Sequence, residues 1–340
     1  MRKQIITRSL HNIPFISLIL KYDYYIESKM QNRLKEQSSP SFINNIRIVS
    51  KDQVLVGTSM GELKLVNLVT GKRHSFNRED TFIYFELLNS DQVITTHDTK
   101  IVKIWSLENL TVPQHVFKIN KSMTDIAMLP NSKFILYRSA QDISIFNSTG
   151  TVRILEGHSR EITCFASMNN KLISGSYCGE LKMWNLETQE LEANLEGHIS
   201  KINSIVIMGD LVCSSSMDDT IRIWNNAQCI KVIHTKTKKI IALSNNKIIS
   251  SDLNKSISVW NIDGEKELQI QIEHNNIKLL PNNQLISISF DGFKIWDLDT
   301  GKCVTTWTYK KQLKKFDVTI LPEGSHGKIL LTINNDLAIY

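Results

Sequence analysis

The chain has 340 residues, 41% of them hydrophobic, and a net charge of +6 at pH 7, which is ordinary for a soluble globular protein. Its longest apolar run, residues 13–20, is far shorter than the roughly 20 residues that cross a bilayer, and no small-residue cleavage site follows it. We therefore expect an intracellular protein without a membrane span, in the cytoplasm or alternatively the nucleus. The five cysteines are spaced singly, which predicts neither a disulfide framework nor a structural zinc site.

The first 40 residues form the first predicted domain. Residues 3–8 (KQIITR) resemble the fourth strand of a later repeat, so we expect a strand that completes the C-terminal sheet and removes an open edge. Residues 14–37 predict a short helix, because apolar residues recur at spacings of three and four from Phe15 onwards. Seven basic and three acidic residues lie in this domain, which favours a solvated basic arm over a surface for nucleic acid or lipid.

Residues 41–340, the second predicted domain, repeat an alternating strand that ends in an aromatic or apolar anchor. The anchors are separated by 39, 41, 38, 40, 36, 36 and 44 residues. They are Val66, Trp105, Phe146, Trp184, Trp224, Trp260, Trp296 and Tyr340. A period near 40 residues with a strand-terminal Trp-Asp or Trp-Asn is typical of propeller blades. The eight anchors predict eight blades, with seven as the alternative if the first or last unit is not a full blade.

Each repeat contains three recognisable strands, for example residues 202–207, 211–215 and 220–224, and a fourth strand precedes the next repeat. A single four-stranded sheet cannot bury both of its faces. Sheets that stack around a common axis bury these faces against one another and leave only short edges. We therefore predict an all-β propeller that the N-terminal strand closes.

Two Leu-Glu-Gly-His segments, at 155–158 and 195–198, and the segment DDTIRIWN at 218–225 resemble the WD-repeat β-propeller family. In that family a loop His, a hydroxyl on the second strand, a turn Asp and the Trp form a hydrogen-bonded set in each blade. The resemblance implies such a structural tetrad at His198, Ser214 or Ser216, Asp218 and Trp224. The preceding repeat departs from the pattern, because Cys178 stands where Asp218 stands one repeat later.

His, Ser and Asp could also form a catalytic triad, but their recurrence within a repeat favours a structural role. Residues 57–61 (GTSMG) match the spacing of a hydrolase nucleophile elbow at Ser59, yet an alternating strand follows instead of the required helix. The nine histidines lack metal-ligand spacing, and the Gly-Lys pairs lack the flanking residues of a phosphate loop. We therefore expect no catalytic residue, no metal and no cofactor.

A rigid ring of loops is a platform for binding. In the family, partners contact positions near the start of the first strand and just before the turn Asp. Carried over position by position, the resemblance implies a partner-binding face at Arg47, Asp125, Thr163, Tyr177, Asn203, Met217, Lys278, Phe290 and Asp317. Ser59 and His97 are further candidates for the second of these positions. The mixture of both charges with aromatic and amide groups indicates protein or peptide partners, and favours neither nucleic acid nor a small-molecule substrate.

The sequence thus predicts a non-enzymatic scaffold that binds protein partners through its loops. The alternative is a substrate-recognition subunit of a cullin-type ubiquitin ligase, because a helical segment ahead of a propeller is similar to F-box WD-repeat receptors. Residues 14–37 are too short for a complete F-box, however. The arginine that a cullin adaptor requires three residues after the Trp is replaced by Glu187, Ala227 and Asp299. Phosphoinositide-binding propellers carry paired arginines, and no adjacent arginines occur here.

Overall fold

The computed structural model describes residues 43–50, 52–58, 61–76, 82–97, 101–119, 125–129, 133–137, 141–147, 150–243, 245–252, 256–272, 276–280, 283–289, 292–308, 316–320, 329–333 and 336–339. The predicted strand at 3–8, the predicted helix at 14–37 and the predicted domain boundary at residue 40 lie outside this part of the chain.

The described residues form 31 strands in eight antiparallel sheets, and each sheet uses strands that are consecutive in sequence. Blade 1 contains β1 (Ile43–Ser50), β2 (Gln53–Thr58), β3 (Leu63–Asn67) and β4 (Arg73–Ser75). Blade 2 contains β5 (Phe82–Leu87), β6 (Gln92–His97), β7 (Ile101–Ser106) and β8 (His115–Lys118). Blade 3 contains β9 (Asp125–Met128), β10 (Phe134–Tyr137), β11 (Ile143–Asn147) and β12 (Gly150–Leu155). Blade 4 contains β13 (Ile162–Met168), β14 (Lys171–Ser176), β15 (Leu181–Asn185) and β16 (Leu191–Asn194).

Blade 5 contains β17 (Ile202–Met208), β18 (Leu211–Ser216), β19 (Thr220–Asn225) and β20 (Gln228–His234). Blade 6 contains β21 (Lys239–Ala242), β22 (Ile248–Ser251), β23 (Ser256–Trp260) and β24 (Lys266–Gln271). Blade 7 contains β25 (Asn276–Leu280), β26 (Gln284–Ser289), β27 (Gly292–Asp297) and β28 (Cys303–Thr308). The last sheet has three strands, β29 (Phe316–Ile320), β30 (Ile329–Ile333) and β31 (Asp336–Ile339).

The predicted all-β fold is confirmed. Among the described residues there are seven complete four-stranded blades, the number of the alternative prediction, and the eighth predicted repeat corresponds to the three-stranded sheet. The anchors from Val66 to Trp296 all lie on the third strand of a blade, whereas Tyr340 lies outside the described residues. The described part of the chain contains no helix that is long and apolar enough to span a bilayer.

The structure divides into two compact units, one with blades 2 to 7 and one with blade 1 and the three-stranded sheet. In the larger unit, the first strands of consecutive blades are neighbours, with β5 beside β9, β13 beside β17 and β17 beside β21. In the smaller unit, β1 is likewise a neighbour of β29. First strands that lie side by side are the arrangement expected of radially stacked blades.

The hydrophobic core consists of layers between successive blades. Trp224 of blade 5 packs into a cluster with Ile173 and Met183 of blade 4. Trp184 packs in the same way with Ile135 and Ile145 of blade 3. Trp260 and Trp296 repeat this arrangement against blades 5 and 6. The anchor of each of these blades therefore fills the space against the preceding blade, so the sheets bury one another's apolar faces, as the repeat predicts.

Candidate functional site: buried tetrads and an exposed loop face

Five tryptophans in the described blades donate their Nε1–H to a hydroxyl on the second strand of the same blade, at 2.8 or 2.9 Å. The pairs are Trp105–Thr95, Trp184–Ser174, Trp224–Ser214, Trp260–Ser250 and Trp296–Ser287. In each case the hydroxyl lies two residues after the residue that pairs with the Trp in the strand register. Buried indole N–H groups require such a partner, which explains the recurrence of the pair.

The two blades whose anchor is not a tryptophan have an apolar residue at the hydroxyl position. Val66 pairs with Val54 in blade 1, so the corresponding position is Val56. Phe146 pairs with Phe134 in blade 3, so the corresponding position is Leu136. Neither side chain can bond an indole N–H. The anchor and the residue at the hydroxyl position thus change together along this chain.

Blade 5 contains the complete tetrad. Trp224 Nε1–H donates to Ser214 Oγ at 2.8 Å, Ser214 lies 2.8 Å from His198 Nε2, and His198 Nδ1 lies 2.7 Å from Asp218 Oδ2. With the indole as donor to Ser214, the consistent assignment is that Ser214 donates to Nε2 and Nδ1–H donates to the carboxylate. Ser214, not Ser216, is therefore the tetrad hydroxyl, since Ser216 Oγ donates to the Ser200 carbonyl.

Blade 4 contains an equivalent tetrad in which the acid comes from a different position. His158 Nε2 lies 2.6 Å from Ser174 Oγ, and His158 Nδ1 lies 3.1 Å from Glu180 Oε2. Glu180 stands two residues after Cys178, and its longer side chain reaches the histidine. The sequence signal for this acid is a Glu within the same turn, which a search for Asp at the position of Cys178 misses.

Blade 2 contains a shorter variant of the set. Trp105 Nε1–H donates to Thr95 Oγ1 at 2.9 Å, and Thr95 Oγ1 lies 2.9 Å from His97 Nε2. The histidine here belongs to the same strand as the hydroxyl. His97 is a candidate for the partner-binding face, but its side chain is buried against Thr95, so it is part of the interior of the blade.

The histidine-acid pairs have shifted pKa values. Burial lowers the pKa of His198 and of His158, and the adjacent acids oppose this shift only in part. Burial acts to raise the pKa of Glu180, but hydrogen bonds from Ser159 and His158 outweigh it and lower the pKa to about 2. Asp218 follows the same pattern, and its pKa is also lowered. Each histidine is therefore held neutral beside an ionised carboxylate.

The glycine before each tetrad histidine is required by its backbone conformation. Gly157 and Gly197 have the same φ of +149°, which L-residues rarely adopt. A Cβ on Gly197 would also lie 2.5 Å from Nη1 of Arg222, so the guanidinium group would have to move to accommodate a side chain there. The Gly-His pair in both repeats thus follows from local geometry.

The tetrad of blade 5 has the hydrogen-bond order of a Ser-His-Asp triad, but a nucleophile must be reachable by a substrate. Ser214 and Ser174 are wholly buried, and each hydroxyl oxygen also accepts a tryptophan N–H. This arrangement can hold a loop against a strand, and it offers no access to a substrate. Among the described residues, no group of three or more His, Cys, Asp or Glu side chains is arranged to hold a metal ion.

The loop face of blades 4 to 6 consists of the loops that enter each first strand and the turns between second and third strands. It comprises residues 156–161, 177–180, 196–201, 217–219 and 235–238. Backbone bonds join adjacent loops and turns, including Tyr177 N–H to the Glu161 carbonyl and Met217 N–H to the Lys201 carbonyl. Tyr177 and Met217 are 58% and 62% exposed here, so the structure places these two predicted contact residues at the surface.

Thr163 and Asn203 occupy equivalent bulges at the start of the first strands of blades 4 and 5. Both are half-buried and bond the next blade. Thr163 Oγ1 donates to the Ile202 carbonyl at 2.6 Å, and the Asn203 side-chain amide donates to the Thr237 carbonyl at 3.2 Å. These two predicted contact residues therefore already join neighbouring blades, and contact with a partner remains a prediction for them.

The other predicted contact residues are less closely aligned with Thr163. Arg47 pairs with Leu55 and Lys278 pairs with Ile286, in each case the third residue of the second strand. In blade 4 the residue that pairs with the third residue of the second strand is Ala166, which lies three residues beyond Thr163. Asp125 begins β9 and Asp317 is the second residue of β29. Phe290 and Ser59 lie outside the described residues. Sequence reasoning also missed Ile199, whose side chain is 85% exposed on the loop face.

The radially stacked sheets with repeated Trp-hydroxyl-His-acid sets define a β-propeller built from WD-type repeats. The WD40 family model, described as "WD domain, G-beta repeat", matches residues 149–185 and 189–225, which span the two complete tetrads. The computationally designed protein Ika8 has the same fold, with a TM-score of 0.72, 19% identity, and coverage of 89% of this chain and 96% of Ika8. The WD40 β-propeller domain of Doa1 gives a TM-score of 0.55 at 18% identity, over 77% of this chain and 92% of the domain.

Cell division control protein 4 of Saccharomyces cerevisiae is 27% identical over 184 residues, which is 45% of this chain. The aligned region spans 24% of the length of that relative, so the likeness concerns only part of it. The two matched repeats and the propeller fold confirm the predicted resemblance to the WD-repeat β-propeller family.

Proposed function

We propose that this protein is a non-enzymatic scaffold that binds protein partners through the loop face of its propeller. The observation that carries the proposal is the contrast between the interior and the loop tips of blades 4 and 5. The polar groups of the tetrads are buried and bonded to one another. Tyr177, Ile199 and Met217 lie exposed a few residues away, on loops that those tetrads hold in place.

Rigid loops with exposed apolar side chains favour association with another protein. Large exposed apolar groups lose water when a partner covers them, and aromatic and Met side chains are enriched at protein interfaces. Asp218 Oδ2 accepts the backbone N–H of Ile199 at 3.2 Å, and Asp218 Oδ1 accepts that of Thr220 at 3.0 Å. Because the loop is already fixed, little conformational entropy is lost when a partner binds. A cytoplasmic location, with the nucleus as the alternative, is part of the proposal.

The family supports the same function, because WD-repeat propellers generally serve as platforms for protein assembly and the buried tetrad hydroxyls argue against catalysis. The shared region covers a minor part of the yeast relative, so the identity of the partners does not follow from that likeness.

The test is quantitative affinity purification of the full chain in parallel with two double variants. Tyr177→Ala with Met217→Ala removes the two exposed turn side chains of blades 4 and 5. Leu191→Ala with Ile230→Ala is the matched control, because these residues are exposed on the outermost strands of the same blades. We expect the first pair to reduce recovery of at least one specific partner several-fold and the control pair to leave it unchanged. Equal recovery with all three proteins would contradict a loop-face binding site.

A further inference from the structure

The loop face of blades 4 and 5 carries an apolar patch formed by Tyr177, Ile199 and Met217. These side chains are 58%, 85% and 62% exposed. Lys201 stands beside the patch, with its Nζ 5.7 Å from the centroid of the Tyr177 ring. Met217 is linked to Lys201 through its backbone N–H, and Ile199 is linked to Asp218, the residue after Met217. The three apolar side chains and Lys201 therefore belong to one continuous surface.

Three more lysines border this patch from blade 6. Lys236, Lys238 and Lys239 are exposed, and they lie in the loop and first residue that lead into β21. This loop is fastened to blade 5, since the Thr235 N–H donates to the Asp219 carbonyl and the Asn203 amide donates to the Thr237 carbonyl. The loop that carries the lysines is thus held against the turn of blade 5 that contains Met217 and Asp219.

The charges are unbalanced on the blade 5 and blade 6 side of this surface. Four lysines, at positions 201, 236, 238 and 239, face one exposed carboxylate, Asp219, in the segments 199–201, 217–219 and 235–239, whereas the exposed carboxylates Glu156 and Glu161 lie with Arg160 on the blade 4 side, next to Tyr177, and Glu196 lies in the loop that enters blade 5. The other carboxylate, Asp218, is 4% exposed and is occupied by His198 and Thr220. An excess of cations around exposed apolar groups is complementary to an anionic segment that also carries an apolar side chain.

We propose that this surface binds an acidic segment of a partner protein, with a large aliphatic or aromatic side chain of that segment on Tyr177, Ile199 and Met217. The inference rests on the proposed function and names the chemistry of the partner. A protein segment fits better than a nucleic acid, because phosphates would neutralise the lysines but leave Ile199 and Met217 exposed to water. Carboxylates next to a leucine or phenylalanine would satisfy both parts of the surface.

The experiment is a selection from a phage-displayed library of random peptides on the immobilised full-length protein. We expect the enriched peptides to carry net negative charge and at least one large apolar residue. The most enriched peptide is then synthesised with a fluorescent label, and its affinity is measured by anisotropy. Charge reversal by Lys236→Glu, Lys238→Glu and Lys239→Glu is expected to weaken binding at least roughly tenfold, because attraction becomes repulsion.

The matched control is Lys118→Glu, Lys231→Glu and Lys302→Glu, which changes the net charge equally at exposed sites outside the loop face. We expect less than roughly twofold loss in this control, and weaker binding of the wild type as salt is raised. Thermal unfolding of both triple variants should match the wild type, since all six lysines are exposed. Enriched peptides without acidic bias, equal losses in both variants, no enriched peptide, or tighter binding of a DNA or RNA oligonucleotide at the same lysines would each overturn the inference.

The same measurements separate this inference from the proposed function. Peptides that lose affinity with Tyr177→Ala and Met217→Ala, but show no acidic preference and no response to the lysine variant, would leave the loop-face scaffold intact and remove the acidic partner. A full set of enriched peptides that responds to neither loop-face variant would contradict both.

Discussion

Blades 3 and 5 fix the anchor residue of their third strand by different interactions. In blade 5, Trp224 is fixed by a directional chain through Ser214 and His198 to Asp218. In blade 3, Phe146 stacks on Phe134 at a ring-centroid distance of 5.5 Å. It also stacks on Phe117 of blade 2, at 5.8 Å. The position two residues along the second strand distinguishes them, being Ser214 in one blade and Leu136 in the other. The anchor therefore needs to fill space in both blades, whereas the polar chain is an addition that fixes a loop.

The largest expected effect is the loss of an anchor side chain, which tests whether both anchors are needed to fill the space between blades. Trp224→Ala and Phe146→Ala should each lower the free energy of unfolding by about 3–5 kcal/mol, because each leaves a cavity between blades. Urea unfolding of both variants measures this directly. If Phe146→Ala cost much less than Trp224→Ala, the aromatic stack would not be an equivalent of the tryptophan.

The polar chain should contribute less than the anchor. Ser214→Ala removes the acceptor of the Trp224 N–H and the donor to His198 in a wholly buried site, and it should cost about 1–3 kcal/mol. Ser167→Ala is the control, since Ser167 is exposed on β13 of blade 4, and substitutions there should stay within about 0.5 kcal/mol. If Ser214→Ala lowered the free energy of unfolding as little as the control does, the hydrogen bonds of the tetrad would be dispensable for stability.

Repetition accounts for what could be predicted from the sequence. The anchors from Val66 to Trp296 mark third strands, because a 40-residue period reports a structure built from equivalent units. Ser214 could not be distinguished from Ser216, since residues two apart share a face of a strand and only the register selects one. Glu180 was missed because side-chain length compensates for a shift of two residues. The group of lysines at positions 201, 236, 238 and 239 was missed because Lys201 and the other three come from loops that are distant in sequence.

Asp218 and Glu180 should contribute differently to the free energy of unfolding because their side chains differ in exposure. The Asp218 side chain is 4% exposed and that of Glu180 is 33% exposed. Asp218→Asn should cost about 1.5–3 kcal/mol through lost charge-assisted hydrogen bonds, and Glu180→Gln less than about 1 kcal/mol. The stability due to the lowered pKa of Glu180 is present above about pH 4.5 and is lost as the pH falls towards 2. If both substitutions lowered the free energy of unfolding equally, burial would not determine how much each carboxylate contributes to stability.

The remaining expected effect is a pH dependence of stability, which the tetrads add and an aromatic stack cannot. Burial lowers the pKa of His198 and His158 below 6.5, so below that pH the unfolded chain binds protons that the folded chain does not. The free energy of unfolding should therefore fall as the pH is lowered from 7, by at most about 1.4 kcal/mol per pH unit for each histidine. His198→Asn should reduce this slope, whatever its effect on stability at pH 7, and substitution of the exposed His234 by Gln serves as the control. Because the slope reports proton uptake and not packing, an unchanged slope in His198→Asn would mean that the histidine of blade 5 is not held neutral, even if the tetrad geometry is correct.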